Sequence, residues 1–295
     1  MMLEARILDI EKMPLEADLV IALKFPSYFV KHKNKIVWFL HHYRQFYDLW
    51  DSPFNLINHS EETKALRDIV IKADTAMLKE AKKVFSISKT VAERLKNYNG
   101  IDSEVIYPPL VEKEVFYCDS YEDFIFFPSR LTPLKRHELA IEAMEYVKAP
   151  ITLIIAGEVE DKNYLNKLEN LIFKKKLNNK VKIFKNLSKR EIIEFYAKCL
   201  AVIFPSYKED YGYITLEAMY SHKAVITCTD SGGPTEFIKH GVNGFIINPD
   251  KNFLAETIEK MYKDKKKTIE MGRLAYKKIS SLDISWQRVI EKFIK

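Results

Sequence analysis

Short runs of almost unbroken apolar residues recur along this chain, and they restrict its fold more than any other feature. They lie at residues 18–23 (DLVIAL), 35–41 (KIVWFLH), 84–88 (VFSIS), 104–107 (EVIY), 124–128 (FIFFP), 151–156 (ITLIIA), 181–184 (VKIF), 201–205 (AVIFP), 224–227 (AVIT) and 244–247 (GFII). A strand with one wet face alternates apolar and polar side chains. A run without alternation suits a strand covered on both faces, as in a parallel sheet between layers of helices. The gaps carry helical patterns. Residues 60–82 open with Ser-Glu-Glu-Thr and then place Leu66, Ile69, Val70, Ala73 and Met77 at helical spacing. Leu139, Ala140, Ala143, Met144 and Val147 repeat the pattern between two later runs. This alternation predicts βαβ units and a doubly wound α/β fold.

The series breaks at residues 107–114 (YPPLVEKE). Pro108 and Pro109 lack the N–H groups a central strand must donate, so a linker is expected here. Four of the apolar runs precede it and six follow. The second part therefore reads as a full doubly wound domain and the first as short by at least one βα unit. A length of 295 residues, 47% of them hydrophobic, suits one large or two ordinary domains with real cores. The 47 Lys+Arg outnumber the 41 Asp+Glu only slightly. Basic and aromatic residues do not interleave over one compact stretch, so no nucleic-acid partner is expected.

Cys118, Cys199 and Cys228 show no CxxC spacing, which argues against a disulfide framework or a zinc site and fits a reducing cytosol. No run reaches the roughly 20 apolar residues of a spanning helix, and the opening MMLEARILDIEKMP lacks the apolar centre of a secretory signal. A cytoplasmic protein is expected, with peripheral contact to the inner face of a membrane left open. For that contact, residues 24–35 (KFPSYFVKHKNK) set Phe25, Tyr28 and Phe29 among basic residues. The competing reading packs the same segment on the first sheet. Residues 263–267 (KDKKK) read as an exposed helix end.

Three segments after apolar runs carry chemistry. Residues 205–219 (PSYKEDYGYITLEAM) follow a strand and open a helix, which places their loop at the carboxyl end of a parallel strand, where doubly wound sheets bind ligands. Gly212 permits close backbone approach, and the free N–H groups of the helix start suit a diphosphate. Glu217 falls about one turn into the helix; the competing reading has Glu209 merely favouring the helix N-terminus and Glu217 as a surface acid. Residues 128–136 (PSRLTPLKR) put the cations Arg130 and Lys135 on a second such loop. Arginine offers phosphate a fork of donors and lysine a point charge. Residues 231–236 (SGGPTE), with GVNGF beyond, form a tight turn with exposed amides.

Taken in order, these motifs make the chain resemble the family-4 retaining glycosyltransferases of GT-B architecture, which have two Rossmann-like domains. Glu209 and Glu217, in the context YKEDYGYITLEAM, look like that family's paired glutamates. FPSRLTPLKRHELAIEAMEYVKAPITLIIAG is similar to its donor segment and SGGPTEFIKHGVNGFIINP to its closing segment; SISKTVAERL, VIYPP and KIVWFLHHYRQFYDLW also look like the family. The resemblance implies a shortened N-terminal acceptor-side domain (residues 1–113), a nucleotide-sugar-binding domain (114–280) and a C-terminal helix (281–295) returning to the first domain. It implies a UDP- or GDP-sugar donor, a saccharide or lipid-linked acceptor, retention of configuration, no metal and no cofactor.

The implied site roles follow position by position. Arg130 and Lys135 would hold the diphosphate, aided by the backbone amides of Gly212, Tyr213 and Ile214. Glu217 would accept from ribose hydroxyls, Glu209 would sit against the transferred sugar, and Gly233 would lie in a loop beside it. His41, at the end of a first-domain strand, would reach the sugar from the opposite domain, with His42 as the alternative. Two departures stand out. Lys185 occupies a place where many members have glycine near the base, and the family's first strand with its Gly-rich loop has no counterpart before Asp18. That gap leaves three readings: a truncated chain, a partner chain or self-association completing the first domain, or donor binding with weak or absent transfer. A non-catalytic nucleotide-sugar-binding or scaffold protein is the alternative reading.

Overall fold

A computed structural model of the protein describes residues 1–8 and 17–294. The chain divides into two units, the first formed by Met1–Pro109 with Ile284–Lys295 and the second by Leu110–Asp283.

In the first unit, β1 (Val20–Ala22), β2 (Lys35–Phe39), β3 (Lys83–Ser86) and β4 (Glu104–Val105) form a parallel sheet in that order. Every residue of β2 is buried, as a strand covered on both faces requires. Its helices are α1 (Met2–Ile7), α2 (Glu61–Lys79) and α3 (Lys89–Asn99). Ser60 and Ser88 cap α2 and α3, accepting from the N–H groups of Thr63 and Val91, and α3 stops at Gly100 in the left-handed region. The last helix, Trp286–Ile294, belongs to the same unit. Its Phe293 ring lies 5.3 Å from Trp38 and 5.5 Å from Phe85.

Two expectations for this unit need correction. Helix α2 is present, but its inward stripe is Val70, Asp74 and Leu78, while Leu66 and Ile69 are exposed. The apolar pattern misses this face because its central residue is an acid. Asp74 is tolerated inside because the Tyr47 hydroxyl donates to it at 2.6 Å, and burial pushes its carboxyl up to about 6. Of the three aromatic residues singled out in 24–35, only Phe25 stays half-exposed. Tyr28 and Phe29 are buried, and the Lys35 ammonium turns inward to donate to the Tyr28 carbonyl at 2.7 Å. Two of the three aromatic side chains proposed for a membrane face on this segment thus pack inward.

The second unit holds β5 (Phe124–Pro128), β6 (Thr152–Gly157), β7 (Val181–Lys185), β8 (Ala201–Ile203), β9 (Ala224–Cys228) and β10 (Gly244–Ile247). All pairings are parallel and the order is β10-β9-β8-β5-β6-β7. Numbered within the unit this is the 3-2-1-4-5-6 order of a doubly wound nucleotide-binding sheet, whose direction reverses between β5 and β8. The helices are α4 (His137–Ala143), α5 (Lys162–Lys174), α6 (Lys189–Lys198), α7 (Tyr213–Tyr220), α8 (Lys251–Lys263) and α9 (Lys265–Ser281). Phe126, Phe127, Ile155, Val202 and Ile226 are sealed within one core with Ala140, Ala143 and Met144 of the α4 segment. Residues 263–267 are the exposed end of α8, as expected, and the turn into the next helix: the Asp264 carboxylate accepts from the Lys267 N–H and starts α9 where α8 finishes. The cysteines are free, Cys199 and Cys228 buried and Cys118 half-buried. Among the described residues no helix is long and apolar enough to cross a membrane.

Candidate functional site

The reversal between β5 and β8 leaves a crevice at the carboxyl ends of the strands, because the connections there leave toward opposite sides. The loops following β5, β8 and β9 meet at this end and are stitched by their backbones. Tyr207 N–H donates to the Leu134 carbonyl at 2.8 Å, Lys208 N–H to Asp230 at 2.9 Å and Glu209 N–H to Ser231 at 2.8 Å. Gly233 N–H returns to the Glu209 carbonyl at 2.9 Å. The contact is so close that a β-carbon on Gly233 would lie 2.6 Å from the Tyr211 Cα and 2.8 Å from the Asp210 oxygen. Glycine at 233 is thus a packing requirement of the site's loops. Gly212 has φ 86° and caps α7, with Pro234 and Phe204 against the space a side chain would need.

Within this frame Lys135 and Glu209 come together. The Lys135 ammonium donates to the Glu209 carboxylate at 2.5 Å and stands 5.0 Å from the Phe204 ring centroid, and both charged side chains are largely withdrawn from water. A cation from the β5 loop and an acid from the β8 loop therefore share one spot across the switch point. The first N–H groups of α7, those of Tyr213 and Ile214, have no intrahelical acceptor, whereas Thr215 N–H donates to the Gly212 carbonyl at 2.9 Å. Glu217, on the same helix, accepts from the buried Tyr196 hydroxyl at 2.6 Å. Burial raises its carboxyl above the usual range, and the Tyr196 hydrogen bond opposes that.

Other expected residues are placed differently. Arg130 does not converge with Lys135: its guanidinium is exposed and pairs with Glu160. His41 belongs to the first unit, half-buried just beyond β2, with Nδ1 against the His42 carbonyl at 2.7 Å. His42, the alternative, lies inside the first unit. It is buried, stacked 4.0 Å from Tyr47 and bonded through Nε2 to Asn99 at 2.8 Å; burial lowers its pKa to about 4. Lys185 ends β7 and pairs with Glu169 at 2.9 Å on the surface.

Sequence reading passed over Arg136 and His137, which stand beside Lys135. Arg136 makes two hydrogen bonds to Asp230. His137 is fully buried, stacked 4.5 Å from Phe127, with Nε2 at 2.9 Å from the Ser129 hydroxyl. Burial, with the Lys135 charge second, pushes its pKa down to about 3. Their position in the motif was a signal; the partner of Arg136, in a loop after another strand, was not. Two concavities of this unit lie on its helical flank, one lined by Tyr146, Asn252 and Glu256 and the other by Glu138, Asn163 and Lys167. Neither includes a residue of the sheet-top site, whose assignment rests on topology and loop geometry. Among the described residues no cluster of three or more His, Cys, Asp or Glu side chains is arranged to hold a metal ion.

A doubly wound domain with a basic–acidic pair at its switch point and a helix start beside it has the architecture of a nucleotide-binding domain. Residues 113–278 match the model of the family Glycosyl transferases group 1, and the chain belongs to that family. It is 27% identical over 203 residues to the human alpha-1,3/1,6-mannosyltransferase ALG2, covering 61% of this chain and 49% of ALG2. It spans about half the length of the curated relatives it matches. Among solved structures, HepE of Anabaena in complex with UDP-glucose superposes with a TM-score of 0.70 at 20% identity, over 88% of this chain and 71% of HepE. Sucrose-phosphate synthase of Thermosynechococcus elongatus does so with 0.76 at 18% identity, over 93% and 71%. Both structural neighbours share the fold.

Proposed function

We propose that the second unit binds a UDP- or GDP-sugar and that the protein transfers the sugar, with retention of configuration, to a saccharide or lipid-linked acceptor. The observation that carries this reading is the Lys135–Glu209 pair at the switch point, beside the open N–H groups of α7. As the sugar–phosphate bond breaks, negative charge grows on the diphosphate and the sugar becomes oxocarbenium-like. Lys135 and the N–H groups of Gly212, Tyr213 and Ile214 stabilise the departing anion from fixed positions, where such electrostatic help is most effective. Glu209, held by Lys135, stands where the sugar joins the diphosphate. Glu217 accepts from the ribose hydroxyls, and Arg130 contributes from the rim once it leaves Glu160.

The shared fold of HepE, solved with UDP-glucose, and the relation to ALG2 support a nucleotide-sugar donor. The test is incubation of the protein with a panel of UDP- and GDP-sugars, with and without simple saccharide acceptors. Release of nucleoside diphosphate from one donor, increased by an acceptor, is expected. Donor binding without any release or transfer would instead favour a binding protein.

A further inference from the structure

Arg136 directly follows Lys135 and takes a different partner. Its guanidinium donates to both carboxylate oxygens of Asp230, at 2.8 and 2.5 Å, in the forked geometry that only arginine provides. Strand order gives this pair its meaning. β8 lies between β5 and β9, so an ion pair from the loop after β5 to the loop after β9 must cross the segment leaving β8. On the way Arg136 lies 3.5 Å from the Pro205 carbonyl and 4.8 Å from the Tyr207 ring centroid. The crossed segment leads straight into Glu209. Only 14% of the Arg136 side chain and 33% of that of Asp230 are exposed. Arg136 also holds a left-handed backbone, φ 59°, which disfavours any residue bearing a β-carbon. Glycine would suit that backbone better, so the side-chain contacts are what an arginine adds there.

From this geometry we infer that Arg136 and Asp230 are positioning residues, clamping residues 205–208 so that Glu209 and Lys135 stay aligned for a diphosphate-sugar. The inference rests on the donor-site reading above. Neither group touches the ligand; each is engaged by the other, and the pair acts through the loop it crosses. Without it, the β8 loop keeps its backbone bonds to Leu134, Asp230 and Ser231 but loses the side-chain bar over them. A displacement of even part of an ångström at Glu209 would carry its ion-pair partner Lys135 off the diphosphate, and so weaken the phosphate contact far more than a contact to the base or ribose.

The experiment compares the whole chain with Arg136→Gly and Arg136→Lys. Arg136→Gly suits the left-handed backbone, so the variant is expected to fold and to melt close to the parent. Three quantities are measured: affinity for UDP and GDP, affinity for uridine and guanosine, and amide hydrogen exchange at Lys208, Glu209 and Gly233. In Arg136→Gly, exchange at these amides should rise and diphosphate affinity should fall by about tenfold, while nucleoside affinity stays unchanged. Arg136→Lys should recover part of both, because a single cation still reaches Asp230 without the fork. Unchanged exchange in Arg136→Gly overturns the clamp whether or not a nucleotide binds. Equal weakening of nucleosides and diphosphates also overturns it, by making the pair a general support of the unit. A parent protein that binds neither UDP nor GDP overturns the donor site itself, and the pair's role with it.

Discussion

Gly233→Ala is the sharpest perturbation of the loop frame. The new methyl would lie 2.6 Å from both the Cα and the carbonyl oxygen of Tyr211 and 2.8 Å from the Asp210 oxygen, all backbone atoms. No rotamer change relieves such contacts, so the β8 loop must move by several tenths of an ångström. Overpacking of this kind costs about 1–3 kcal/mol. The Gly233 N–H to Glu209 carbonyl bond, 2.9 Å in the native loop, lies in the path of that movement. Weakening it adds up to roughly 1 kcal/mol. A total of about 1–4 kcal/mol corresponds to a fall in melting temperature of roughly 2–16 °C for a unit of this size. Far-UV circular dichroism is the proper probe, because Trp38, Trp50 and Trp286 all belong to the first unit and report on it alone. Nucleoside diphosphate affinity should fall in the same variant, measured well below its transition. A loss of stability below about 0.5 kcal/mol, the range of inert surface changes, would refute the packed-loop argument.

Glu217→Gln should weaken nucleotide binding by about tenfold, since an amide accepts from hydroxyls less well than a carboxylate. It should not destabilise the protein at pH 7, because burial makes the ionised carboxylate costly there; titration calorimetry and thermal melts read the two effects separately. Arg130→Ala removes only an exposed pair with Glu160, so stability should change by less than about 0.5 kcal/mol and diphosphate affinity by less than in Lys135→Ala. His137→Gln tests the buried imidazole by pH. A histidine pKa lowered to about 3 contributes stability that is full above about 6.5 and is lost as pH falls, by up to roughly 1.4 kcal/mol per pH unit. Denaturation between pH 6.5 and 4 should therefore show a slope about one proton shallower in the variant. An identical slope would mean that His137 is already protonated when folded.

Much of the fold was legible because parallel strands buried on both faces leave unbroken apolar runs such as FIFFP and AVIFP. Helix α2 shows where that reading stops. Its periodic Leu66 and Ile69 face water, while Asp74, kept inside by the Tyr47 hydroxyl, marks the true inner face. At the site, Lys135 and Glu209 were each legible from their motifs, but their ion pair joins loops 74 residues apart and exists only in the folded sheet. The Glu217–Tyr196 bond and the Arg136–Asp230 pair are of the same kind. Periodicity and motif spacing report on neighbours in sequence, and these contacts are made by strand order. Arg130 is the opposite case: its motif set it with Lys135, and in the folded sheet its side chain lies at the surface beside Glu160.

The central claim is that the switch-point crevice of the second unit receives a diphosphate through Lys135. It is tested most directly by calorimetric titration of the whole chain, and of its Lys135→Ala variant, with UDP, GDP, uridine and guanosine. The account predicts that one diphosphate binds the parent at least about tenfold more tightly than its own nucleoside, the gap expected of charge-assisted bonds to phosphate. Lys135→Ala should erase most of that gap while leaving the nucleoside affinity in place. A parent protein without preference for either diphosphate, or a Lys135→Ala variant that keeps the full preference, would contradict it.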